Sequence, residues 1–250
     1  NSNIDRHNFD IEGPLFPKGS KKAVDCGDIK WDSKNYKKNR LEIKNSISKI
    51  IKCNAVPILV GGDDSVPIPM IQAMSNFGDN FTILQIDAHI DWRETHMGEK
   101  YGLSSTMRRA SEMNHIKKII QVGARGIGSG HPKDYKDALE WGVKFYTADK
   151  VHSEGTVEIL NEIDKNAKVI ICIDIDSMDP SIAPNTIGRV PGGLTYFQVL
   201  NIIKDVSKKA KIVTIDFVEI MPEVDIDGIG GLTVSRLIAA TMGIIARKNR

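Results

Sequence analysis

The stretch Lys168–Pro180, KVIICIDIDSMDP, begins as an unbroken apolar run and ends in three aspartates. A run with no polar alternation is the pattern of a strand covered on both faces. A nearly apolar run recurs in Phe81–Asp87 (FTILQID), and runs at Ala23–Gly27, Val56–Gly61, Lys118–Val122, Lys144–Tyr146 and Lys211–Phe217 complete the predicted strands. Between them, helical periodicity predicts helices over Lys38–Cys53, Val66–Phe77, Ser104–Met113, Lys133–Trp141, Glu154–Lys165, Thr195–Lys209 and Leu232–Arg247. Thr195 stands as the cap of its helix, and Lys208 and Lys209 sit where a helix C-terminus favours cations. Strand–helix alternation with few hairpin signals means an α/β fold, a doubly wound, mostly parallel sheet flanked by helices. No repeat, linker or low-complexity tract divides the chain, so residues 1–250 read as one domain with an irregular segment over 1–22.

The composition narrows the function. In 250 residues, 34 Lys+Arg against 32 Asp+Glu leave a formal net charge of +2, which gives no reason to expect nucleic acid or an anionic membrane as partner. Gly231–Ala246 is the most apolar long stretch, but it contains Arg236 and ends among Lys and Arg, so a buried helix is expected rather than a membrane span. Three widely spaced cysteines (Cys26, Cys53, Cys172) fit a reducing, cytoplasmic setting. The opening NSNIDRHNFDIEGP has neither an initiator Met nor an apolar signal core, and reads as a truncated or processed start.

In open parallel sheets, ligands bind at the carboxyl ends of the strands. Four predicted strands end here in ligand-type side chains: Gly61-Gly-Asp-Asp-Ser65, Asp87-Ala-His-Ile-Asp91, Asp174-Ile-Asp176 with Asp179-Pro180, and Glu219. In extended chain, residues two apart face the same way, so Asp87, His89 and Asp91 can converge, as can Asp174 and Asp176. Carboxylates so crowded need a large countercharge. Carboxylates with one imidazole suit two hard or borderline divalent ions such as Mn²⁺, and Ni²⁺ is compatible with the same set. A turn or strand-ending role is expected for Asp63 and Asp179.

These segments resemble the ureohydrolase family of arginases and agmatinases. GGDDS at 61–65, DAHID at 87–91, DIDSMDP at 174–180, APNTIGRVPGGLT at 183–195 and FVEIMPEVD at 217–225 match that family's motifs in order. The resemblance implies an arginase-like three-layer sandwich and a homotrimer or homohexamer. By position it implies one ion on Asp64, Asp87, Asp91 and Asp174 and a second on Asp87, His89, Asp174 and Asp176, with Glu219 gripping a small cationic guanidino substrate. Asp91 and Glu219 are thereby the expected catalytic residues, and the implied reaction releases urea and an amine.

Two positions depart from the family. Asp64 stands where it has a His ligand, and Leu103 where it often has a proton-shuttling His. Five carboxylates against two divalent ions leave about −1, which favours a cationic substrate and predicts a slower enzyme or a more alkaline optimum. His96 is the candidate replacement for the shuttle, against the alternative of a solvated loop residue. Trp92 is a candidate apolar wall for the substrate, or else a loop-packing residue. Ser104 and Ser105 are expected to cap the following helix, and Arg108 and Arg109 to meet a substrate carboxylate or another subunit. A competing reading is a catalytically silent member that serves assembly, with a paralogous active subunit as partner.

Overall fold

The computed structural model describes residues 6–127 and 130–248. A short antiparallel pair, β1 (His7–Asn8) and β2 (Gly13–Pro14), comes first, so the segment expected to be irregular carries one ladder; residues 1–5 lie outside the described residues. It is pinned to the far end of the chain, because Arg247 donates to the carbonyls of Pro14 and Leu15. Next come α1 (Tyr36–Lys52), β3 (Ile58–Val60), α2 (Pro67–Met74), β4 (Phe81–Ile86), α3 (Thr106–Ser111), β5 (Ile116–Val122), α4 (Pro132–Trp141) and β6 (Lys144–Tyr146). The chain continues through α5 (Ala148–Glu154), α6 (Val157–Asn161), β7 (Lys168–Asp174), α7 (Tyr196–Lys209), β8 (Lys211–Val218) and α8 (Ile229–Lys248).

Six strands form one parallel sheet in the order β3-β8-β7-β4-β5-β6. Every residue of β4 is buried, as its nearly apolar run requires, and residues 169–174 of β7 are equally covered. Alternate residues feed two separate cores. Leu84, Ile86, Ile171 and Ile173 pack with α5–α8, whereas Phe81, Ile83, Ile170 and Cys172 pack with α1–α4. Helices therefore cover both faces, which makes the three layers that the sequence predicts. The capping box at Thr195 and Gln198 starts α7 as expected, and α8 lies against α7 with Val234, Leu237, Ala240 and Ile244 buried.

Two expectations fail. Ala23–Gly27 forms no strand: the segment is exposed, pairs with no sheet edge, and Gly27 turns at φ +75°. The helix expected over Glu154–Lys165 shrinks to α6, Val157–Asn161, and an unexpected helix, α5, precedes it and is closed by Gly155 at φ +77°.

The order places the site. Chain direction across the sheet reverses between β4 and β7: from β4 the chain winds outward through β5 and β6, and from β7 it winds the other way to β8. The crevice at such a reversal is where α/β sheets bind ligands. Asp87 follows β4 directly and Asp174 ends β7, so two aspartates flank that crevice, with the ends of β8 and β3 beside them.

Candidate metal centre

Each acidic side chain reaches the crevice by its own device. Asp87 and Asp174 are carried there by strands. Asp176 arrives through a single 3-10 turn, Ile175–Ser177, whose first N–H groups are tied back when the Asp174 carboxylate accepts from the Asp176 N–H at 2.8 Å. Asp91 bends in at φ +45°. Turns, rather than the two-residue alternation of extended chain, thus bring these residues in. Gly61 and Gly62, at φ +89° and +83°, let the chain after β3 double back so that Asp64 enters from the side. The Asp64 N–H donates to Glu219 Oε1 at 2.8 Å and the Glu219 N–H to the Gly62 carbonyl at 2.9 Å, which fasten the β3 and β8 ends together.

The result is two overlapping groups. Ligand atoms of Asp64, Asp87 and Asp174 lie within 4.8 Å of one another, and so do those of Asp87, His89 and Asp176. Asp87 belongs to both, the position of a bridging carboxylate. His89 Nδ1 sits 2.9 Å from Asp176 Oδ2, while Asp91 shares a hydrogen-bond donor with Asp87. The five aspartates are between 2% and 4% exposed.

Burial first, and then mutual repulsion, push Asp64, Asp87 and Asp174 well above the ordinary carboxylate range. Burial likewise raises Glu219, against the opposing pull of the Asp64 N–H. Burial opposes a charged His89, yet the hydrogen bond and charge of Asp176 hold its pKa above the usual imidazole value. Arg125 spends its guanidinium on the carbonyls of Gly123, Asp176, Ser177, Met178, Val190 and Pro191, lacing the β5 end to the loop after β7. Asp64 Oδ2 is buried with no hydrogen-bond partner among the described residues. An orphaned carboxylate oxygen inside a cluster of five aspartates and one imidazole fits divalent cations, which supply both the missing partner and the countercharge.

Below the site, the Asp216 carboxyl is pushed up to about 7 by burial, with the Cys172 thiol and the Ile173 N–H pulling the other way. A raised carboxyl pKa stabilises the fold fully below the unfolded value near pH 4, and that contribution is lost as pH climbs to the folded value. For chelated protein, Asp216 alone is expected to remove on the order of 4 kcal/mol between about pH 4 and pH 7. The three raised site aspartates act in the same direction. Denaturant midpoints of EDTA-treated protein should fall from pH 5 to pH 8, while saturating divalent ion should reverse the slope, because bound ions hold the ligands deprotonated.

Other expected residues sit elsewhere. Trp92 is 1% exposed and stacks edge-on against Trp141 at 6.1 Å, so it packs the loop and offers no wall to a ligand. Arg109 is buried and pairs through Nη2 with Glu94 and Glu112, and Arg108 pairs with Glu94 and Asp137. Ser105 stands at the start of α3 without capping it through its side chain. His96 lies on the loop after Trp92, its Nδ1 2.9 Å from an Arg93 guanidinium nitrogen. Leu103 is 38% exposed. Asp63 and Asp179 make the turns expected of them, Asp63 accepting from Ser65, and Asp179 from Ser181, Gly192 and Gly193. Gln85, Gln121 and Arg125 are site residues that no sequence motif picks out. A glutamine inside an otherwise apolar strand, two residues before Asp87, is the available signal for the first.

Comparison with known proteins points the same way. The sequence model of the Arginase family matches residues 3–243. The mitochondrial agmatinase of Gallus gallus is 30% identical over 221 residues, which is 86% of this chain and 64% of that one. The N(1)-aminopropylagmatine ureohydrolase of Thermus thermophilus is 30% identical over 196 residues, covering 78% and 64%. Among solved structures, proclavaminate amidino hydrolase from Streptomyces clavuligerus superposes with a TM-score of 0.82 at 27% identity, over 90% of this chain and 76% of that one. The chain spans about two thirds of the length of the curated relatives it matches.

Proposed function

Because this chain belongs to the arginase family, as an agmatinase-like member, we propose that it is a metal-dependent hydrolase that cleaves the linear C–N bond of a guanidino or amidino compound. The reading is agmatinase- or guanidinobutyrase-like, with urea and an amine as products. It rests above all on one observation, the sharing of Asp87 between two buried ligand groups. The related proteins named agmatinase, aminopropylagmatine ureohydrolase and amidino hydrolase support the substrate class.

Asp64, Asp87, Asp91 and Asp174 would hold one ion, and Asp87, His89, Asp174 and Asp176 the other, Mn²⁺ before Ni²⁺. When bound, such a pair supplies Lewis acidity and makes water nucleophilic near neutral pH. The chain's own groups do the rest. Glu219 Oε1 accepts from the Asp64 N–H, which leaves Oε2 to accept from a guanidinium N–H in a charge-assisted contact. The surrounding negative charge draws a cation in. Asp91 accepts a hydrogen bond from the attacking water, and His96 carries the released proton to the departing amine nitrogen in place of the histidine absent at Leu103. Water adds to the guanidino carbon, the C–N bond to the alkyl tail breaks, and urea leaves with a protonated amine.

The test is elemental analysis of protein saturated with Mn²⁺, followed by urea release from a panel of linear guanidino compounds. Two ions per chain and turnover of a cationic member of the panel are the expected results. Two ions with no turnover would favour the silent-subunit reading, which Leu103 motivates. A homotrimer or homohexamer and a cytoplasmic location belong to the same proposal, and light scattering checks the first.

A further inference from the structure

A row of buried polar side chains crosses the middle of the sheet directly beneath the aspartates. Gln121 on β5 pairs in register with Gln85 on β4, Gln85 with Cys172 on β7, and Cys172 with Asp216 on β8. All four are 0–1% exposed, on the face of the sheet shared with α1–α4. Burying two primary amides here costs stability unless their hydrogen bonds are made.

The bonds run in one direction. The carbonyl of Ile90 can only accept, so Gln121 must turn its Nε2 toward it, at 2.8 Å. The second hydrogen of that nitrogen then meets Gln85 Oε1. Gln85 is left with its own Nε2 pointing up, and it gives one hydrogen to Asp87 Oδ2 and the other to Asp91 Oδ2, each at 2.6 Å. A backbone carbonyl thus dictates, through two amides, which way a donor faces under two carboxylates.

We propose that Gln85, oriented by Gln121, is a positioning residue that fixes Asp87 and Asp91 in the geometry for binding a divalent cation. The inference rests on the metal-centre reading above. A neutral amide suits this position because it bridges two like charges without altering the −1 left by five carboxylates and two ions, and without competing as a cation. It also leaves the second oxygen of each carboxylate directed away from itself. Hydrogen-bonded partners of metal-ligating groups are commonly worth about 10–100-fold in affinity.

The experiment uses Gln85→Met, which keeps the volume and removes both donors, together with Gln121→Met and the double variant. Free Mn²⁺ is followed by electron paramagnetic resonance during titration of the intact chain, and thermal unfolding of each chelated protein checks its fold. The parent should bind two ions. Gln85→Met should weaken one of them at least tenfold and more than the other, since Asp91 is proposed to serve only one ion. Gln121→Met should weaken the same ion less, and should add nothing once Gln85 is already Met, because it acts through Gln85. Equal affinities in the parent and Gln85→Met would overturn the proposal, as would full additivity in the double variant. A parent that binds no Mn²⁺ would instead overturn the metal-centre reading itself. Should Gln85→Met fail to fold, the Gln121→Met titration decides alone, unchanged affinity counting against the proposal.

Discussion

Asp87→Asn is expected to lose at least one metal ion per chain and to lower urea release roughly a thousandfold, the equivalent of several kcal/mol of transition-state stabilisation. No other side chain belongs to both groups of clustered ligand atoms among the described residues. The amide keeps the shape but has one oxygen in place of two, so it cannot serve two ions symmetrically. The same change should raise the melting temperature of the chelated protein, because it removes a charge that Asp91, Asp174 and Asp176 all repel. Loss of metal together with gain of metal-free stability is the signature to look for, by elemental analysis and calorimetry. Asp63→Asn is the control, since Asp63 only shapes the Ser65 turn. Full metal content and turnover in Asp87→Asn would remove Asp87 from the centre.

Glu219→Gln should leave metal content intact and lower kcat/KM on a guanidino substrate by about 100- to 1,000-fold, or roughly 3–4 kcal/mol. A glutamine oxygen can still accept from the Asp64 N–H, so the junction of the β3 and β8 ends should survive. What is lost is the charge that faces the cation. Steady-state kinetics with the two-ion enzyme measure this, and an unchanged kcat/KM would place Glu219 outside the substrate site.

Much of this architecture is legible in the chain. TILQID and VIICID announce covered strands because they are apolar almost throughout, and the aspartates closing them mark the crevice. Thr195 and Gln198 announce the start of α7 because a capping box is a local device. What cannot be read depends on partners remote in sequence. Ala23–Gly27 has the composition of a strand but stays exposed and joins neither edge of the sheet. Trp92 passes for a pocket wall until Trp141 is seen to cover it. Arg108 and Arg109 look available until Glu94 and Asp137 are found beside them. The role of Gln85 needs Gln121 and the Ile90 carbonyl, neither of which any spacing rule connects to Asp91. The short helix α5, capped by Thr147 and closed by Gly155, has too few turns for periodicity to announce it.

The seating of β3 has a consequence for how the molecule is made. In the sheet, β3 touches only β8, and the bond from Asp64 to Glu219 joins residues 155 apart. During synthesis, the chain around Asp64 can pack α2 on α3 and rest its carbonyl on Thr106, but β3 has no strand to pair with until β8 forms. Closing so long a loop comes late, because its entropic cost precedes any reward. A growing chain can therefore assemble β4, β5, β6 and β7 and present Asp87, His89, Asp174 and Asp176 while Asp64 still lacks its bond to Glu219. The proposed ligands of one ion are thus together before Glu219 fixes Asp64 at the other, so metal capture should proceed in two stages, the second gated by formation of β8.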